Sequence, residues 1–164
     1  MWDKVKFNNP ELLRQAFTHR SYLNEHPEIT TGHNERLEFL GDAVLELATT
    51  EYLYAKYPAD NEGELTAYRA ALVNAETLAQ VAEEAGLNDY LLLSRGEQKD
   101  TGRARSAILA NTFESVVGAI FLDQGYELAQ KFIAQYLFSK TDEMVKNQLW
   151  QDAKSLFQEK AQGL

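Results

Sequence analysis

Five polar side chains on two otherwise apolar stretches are the residues of this sequence best suited to chemistry. Glu35, Glu38 and Asp42 fall at i, i+3 and i+7 in the run NERLEFLGDAVLELATTEYLYAKYP (34–58), so on a helix their carboxylates stack along one stripe. Asn111 and Glu114 stand at i, i+3 in SAILANTFESVVGAIFL (106–122) and share a face. Carboxylates among apolar neighbours need a partner for their charge. A hard divalent cation, most often magnesium, is the simplest one, because it takes oxygen ligands and keeps several waters. If the two stretches pack side by side, Glu38, Asp42, Asn111 and Glu114 line a hollow suited to phosphodiester hydrolysis, where a cation activates water and stabilises charge on phosphorus. The same spacing also fits acids that cap, pair with Arg36 or Arg69, or face solvent.

The elements that must position these groups are helical. The first stretch reads as a long central helix burying Leu37, Leu40, Val44, Leu47 and Ala48, and Tyr57-Pro58 ends it. The second is apolar almost all round, which predicts a second buried helix. Asn9-Pro10-Glu11 starts a helix running through Phe17, with Asn as cap and Pro at the first position. Residues 18–33 lead as a loop to the central helix, broken by Pro27 and Gly32. Asn61 caps EGELTAYRAALVNAETLAQVAEEAG (62–86), one bent helix or two, closed by Gly86. Arg95 to Arg105 reads as a loop, Asp123-Gln124-Gly125 as a turn, and Tyr126 to Phe138 as an amphipathic helix. From Thr141 to Gln162 the chain is polar and helical, with apolar contacts at Met144, Val145, Leu149, Trp150, Leu156 and Phe157. No alternating strand pattern of useful length occurs, so the fold class is all-α.

Composition narrows the function. The chain has 164 residues and 45% hydrophobic content, enough for one domain with a real core. It has no cysteine, which excludes disulfides, zinc-thiolate sites and a cysteine nucleophile. With no leader and no run of some 18 apolar residues, the expectation is a cytoplasmic protein without a membrane partner. Sixteen Lys and Arg against 25 Asp and Glu give a net charge of −9, which argues against unassisted binding to a polyanion. The exception is Arg95 to Arg105, which gathers Arg95, Lys99, Arg103 and Arg105 and is either a solvated loop or a phosphate contact.

The run ERLEFLGDAV (35–44) resembles the signature of the ribonuclease III family, which cuts double-stranded RNA. The likeness continues through LRQAFTHRSY (13–22), EGELTAYRAALVNAETLA (62–79) and RSAILANTFESVVGAIFLDQG (105–125). It implies the multi-helix endonuclease-domain fold of that family, a two-fold symmetric homodimer, and a nuclease domain over residues 1–148. Residues 149–164 would be a linker and the truncated start of a double-stranded-RNA-binding domain, since DAKSLFQEKAQ (152–162) is similar to that module's opening.

Carried over by position, the resemblance makes Asp42 and Glu114 catalytic and gives Glu38, Asn111 and Glu114 to magnesium, with manganese as a possible substitute. Asn111 stands where the family usually has aspartate. Its amide oxygen can still coordinate the ion but brings no charge, so the departure is either a native variation with activity retained or a substitution that weakens catalysis and leaves a binding module. Glu35 and Glu62 match supporting acids, and Phe39 matches the aromatic that enters a cavity on a second subunit. His19, Arg20, Arg95, Lys99, Arg103 and Arg105 become candidates for RNA contact, although His19 and Tyr22 also fit as core residues. The implied activity leaves 5′-phosphate ends and short 3′ overhangs, in processing of rRNA and other structured precursors. Recognition would read A-form shape, and no small-molecule substrate is expected.

Overall fold

The computed structural model describes residues 6–147 and 150 of the chain. Local chemistry starts several of its helices. Asn9 accepts from the Glu11 amide ahead of α1 (Pro10–Phe17). Asn61 and Glu64 form a reciprocal capping box at α4 (Glu62–Leu72). Asn74 accepts from the Thr77 amide at α5 (Ala75–Glu84), so the expected segment is two helices.

Between α1 and the central helix the structure departs from the expected loop. His19 accepts from the Ser21 amide through Nδ1 at 3.3 Å and caps a short helix, α2 (Arg20–Glu25). An imidazole is an uncommon N-cap, so residue types alone carry no start signal there. The same region makes the strand-like contact found among the described residues. Leu92 donates to the Phe17 carbonyl at 2.9 Å and His19 to that of Leu92 at 3.1 Å, an isolated parallel bridge in an otherwise helical structure.

The long helices α3 (Glu35–Lys56) and α6 (Arg103–Gln124) each span 22 residues and form the centre. Helix α6 is apolar and long enough to cross a membrane by composition, but here its faces are taken by α1, α3, α5 and α7 (Tyr126–Tyr136). Leu45, Leu109, Phe113, Val116 and Ile120 are fully buried between them. On α3 the buried face carries Leu37, Val44, Leu45, Ala48 and Leu53, whereas Leu47 is exposed, contrary to expectation. Apolar residues occur on most faces of this helix, so its sequence set the period but not which face turned inward.

Two boundaries also move. Helix α6 begins at Arg103, which puts Arg103 and Arg105 on its first turn, and it runs through Asp123 and Gln124 before Gly125 turns the chain at φ +85°. Helix α8 (Thr141–Lys146) buries Met144, and Trp150 packs edge-on to Tyr68 at 5.2 Å between ring centres. Leu149, Leu156, Phe157, the stretch 152–162 and the boundary at 148/149 lie outside the described residues.

Candidate active site

Helices α3 and α6 cross with their backbones in contact. A Cβ on Gly41 would lie 1.8 Å from the Glu114 carbonyl oxygen, and one on Gly118 would lie 2.2 Å from that of Leu37. Only glycine on both sides permits this approach. It sets Glu38 and Asp42, which flank Gly41, against Asn111 and Glu114, which precede Gly118 on α6.

The electrostatics record that convergence. Burial pushes the Glu114 carboxyl up to about 7, and the charges of Asp42, Glu38 and Glu46 push the same way. Glu38 is also raised, by burial first and then by Glu35 and Asp42, while a hydrogen bond with Asn111 opposes the rise. Acidic groups from two helices are therefore held together at a cost that a cation would offset. The donor set of carboxylates and one amide oxygen fits a hard divalent ion. Among the described residues, no group of three or more His, Asp or Glu side chains is arranged to hold a metal ion on its own.

Glu46 was missed in the sequence, although it continues the stripe four residues beyond Asp42. It forms an ion pair with Arg69 at 2.9 Å. Glu35 is exposed and pairs with Arg20 at 3.2 Å. Glu62 opens α4 and lines a cleft of about 460 Å³ with Thr50, Tyr54, Asp60 and Arg69. The acids whose charges act on Glu114 are Asp42, Glu38 and Glu46.

The basic candidates divide by what already holds them. Arg95, Lys99 and Arg103 are exposed. Arg105 is half-buried, and its guanidinium donates to the carbonyls of Glu97, Gln98 and Asp100, each at 3.1 Å, stapling the loop. His19 is half-buried, held below its usual pKa by burial, and bonded through Nδ1 to Ser21 Oγ at 2.8 Å. Tyr22 lies against His26, with ring centres 4.0 Å apart. Phe39 is 82% exposed, and Leu47 (53%) and Tyr54 (75%) project from the same side of α3.

A family profile described as ribonuclease-III-like matches residues 9–141. The chain is 51% identical over 139 residues to ribonuclease 3 of Bacillus licheniformis, a match covering 85% of this chain and 56% of the relative. It is 49% identical over 138 residues to ribonuclease 3 of Enterococcus faecalis, covering 84% and 60%. The chain thus spans somewhat over half the length of these curated relatives. Among solved structures, the nuclease domain of ribonuclease III from Campylobacter jejuni, described for structural flexibility in a region involved in dimer formation, matches with a TM-score of 0.73 at 39% identity. That match covers 80% of this chain and 88% of the other. Dicer from Pichia stipitis matches with a TM-score of 0.62 at 28% identity, over 87% of this chain and 60% of that one.

Proposed function

The chain belongs to the ribonuclease III family, and on that premise we propose that it is a magnesium-dependent endoribonuclease acting on double-stranded RNA. The observation that carries this reading is the apposition of Glu38 and Asp42 with Glu114 across the α3–α6 crossing, which leaves Glu114 raised to about 7.

Glu38 and Glu114 would hold the ion, with the Asn111 amide oxygen as a neutral third ligand; manganese could replace magnesium. Bound there, the ion would supply Lewis-acid stabilisation of charge on phosphorus and lower the pKa of water. Asp42 orients the attacking water and takes up its proton. Water adds to phosphorus as the bond to the 3′ oxygen breaks, and that oxygen takes a proton from solvent, leaving a 5′-phosphate on one fragment and a 3′-hydroxyl on the other. Glu35 supports Glu38 from one turn away, and Glu62 supports the site from the neighbouring cleft.

Phe39, Leu47 and Tyr54 supply the face for a homodimer, since large apolar side chains exposed together on one helix mark an interaction surface. Two hollows related by a two-fold axis would cut both antiparallel strands and leave short 3′ overhangs. The duplex is read by shape, with Arg20, Arg95, Lys99 and Arg103 on its phosphates and His19 and Arg105 holding the segments that carry them. In this reading residues 1–148 are the nuclease domain, 149–164 begin an RNA-binding module, and the enzyme processes rRNA and other structured precursors in the cytoplasm.

The test is incubation of the chain and its Asn111→Asp variant with a long duplex RNA and magnesium. Cleavage by both is expected. Cleavage by the variant alone would identify a disabled nuclease, and cleavage by neither would sink the reading.

A further inference from the structure

The basic segment that follows Leu93 carries its own frame. Besides the three carbonyls that Arg105 holds, Ser94 Oγ accepts from the Glu97 amide at 3.3 Å. Ser21 and Glu25 tie this frame to α2. The Ser94 amide donates to Ser21 Oγ at 3.1 Å, and the Arg95 amide lies 3.3 Å from Glu25 Oε1. Glu25 is exposed, whereas Ser21 is half-buried.

The hydroxyl of Ser21 is aimed for this bond. His19 Nδ1 accepts from the Ser21 amide at 3.3 Å, so that ring nitrogen carries no proton and the Ser21 hydroxyl gives it its hydrogen at 2.8 Å. With the hydrogen directed there, the oxygen presents its lone pairs to the Ser94 amide. The bond joins two positions whose chain neighbours are basic: Arg20 immediately precedes Ser21, and Arg95 immediately follows Ser94. Both arginines are exposed, and Arg20 is further steadied by Glu35 at 3.2 Å. One hydrogen bond therefore fixes the backbone separation between cations carried by two distant parts of the chain.

A fixed separation matters for a rigid polyanion and not for a flexible one. Attraction to phosphate depends on how many cations are offered, whatever their spacing. Recognition of an A-form duplex depends on where they stand, and holding them there beforehand lowers the ordering cost of binding. A single strand adapts its phosphates to the spacing it meets.

We propose that Ser21 is a positioning residue that sets Arg20 against Arg95 and Lys99 at a spacing suited to duplex RNA, and so contributes to preference for double over single strands. The proposal rests on the duplex-binding reading above and deepens it. Ser21 itself touches no RNA in this role.

The test uses the full chain with Ser21→Ala, Ser21→Cys and Ser21→Thr, each checked for folding by circular dichroism. Fluorescence anisotropy measures binding of a labelled polyadenylate–polyuridylate duplex and of labelled polyuridylate alone, without divalent ion so that nothing is cleaved. Ser21→Ala should bind the duplex about fivefold more weakly, the scale of one lost hydrogen bond. Its affinity for the single strand should change less than about twofold, because the charge count is unaltered. With magnesium, its KM for duplex cleavage should rise about fivefold while kcat changes less than about twofold. Ser21→Thr keeps the hydroxyl and should restore the parent's preference. Should Ser21→Ala not fold, Ser21→Cys takes its place, since sulfur is a weak acceptor of similar size.

Equal weakening toward both RNAs overturns the proposal, as does a parent that binds the two alike. So do an alanine variant with the parent's preference and a threonine variant as poor as alanine. If no chain cleaves RNA with magnesium but binding follows the expected pattern, the nuclease reading fails and the positioning role of Ser21 stands.

Discussion

Gly41 of α3 and Glu114 of α6 meet so closely that a methyl group on the glycine would stand 1.8 Å from the glutamate's carbonyl oxygen. No side-chain rotation relieves that clash, because the obstacle is backbone. Gly41→Ala should therefore push the two central helices apart and destabilise the fold by about 3 kcal/mol or more. Gly96→Ala, where the nearest atom is a serine hydroxyl at 3.8 Å, should change stability by less than about 0.5 kcal/mol. Urea unfolding of both variants checks the contrast; equal stabilities would remove the crossing as the device that builds the site.

Glu114 has a role in the chemistry separable from its role in folding. Glu114→Gln keeps the side-chain volume and removes the charge, so cleavage should fall by at least about a hundredfold, the scale of losing one charge-stabilising group. Circular dichroism should remain that of the parent. Undiminished cleavage would take Glu114 out of the mechanism.

The raised carboxyl makes stability depend on pH in a defined direction. Glu114 has an ordinary value of 4.5 and is pushed up to about 7 in the folded chain, chiefly by burial and then by Asp42, Glu38 and Glu46. The folded state holds this proton more tightly than the unfolded chain, so the associated stability is complete below the ordinary value and is lost as pH rises through about 7. Without divalent ions, thermal melts should show Tm falling by a few degrees from about pH 5 to about pH 8. Magnesium should raise Tm at the higher pH and do little at the lower, where protonated carboxyls donate poorly. Glu114→Gln should flatten the slope; a parent chain whose Tm rises over this range would contradict the placement of these acids.

Phe39 tests the assembly. Burying one such side chain contributes about 1.5–3 kcal/mol, and in a symmetric pair the contribution is made twice. Phe39→Asp should convert a dimer into a monomer by analytical ultracentrifugation and leave the helical content unchanged. A parent chain that is monomeric at high concentration would refute the homodimer.

The residues that sequence alone determined are those whose chemistry is local. Asn9 with Pro10, Asn61 with Glu64, and Gly86 at φ +72° start or stop helices through bonds and backbone preferences within a few positions. The stripe of Glu35, Glu38 and Asp42 follows from the helical period, and the ribonuclease III resemblance from uninterrupted motifs. Tertiary structure decided which face of α3 turns inward, burying Leu45 and exposing Leu47, because an apolar pattern on most faces has no preferred phase. It decided that Glu46 belongs with Arg69 and that Arg105 staples its own loop, since partners on separate elements leave no mark in spacing. It also brought Glu114 to Asp42 and Glu38, through a glycine contact whose closeness is a property of two packed backbones and of neither helix by itself.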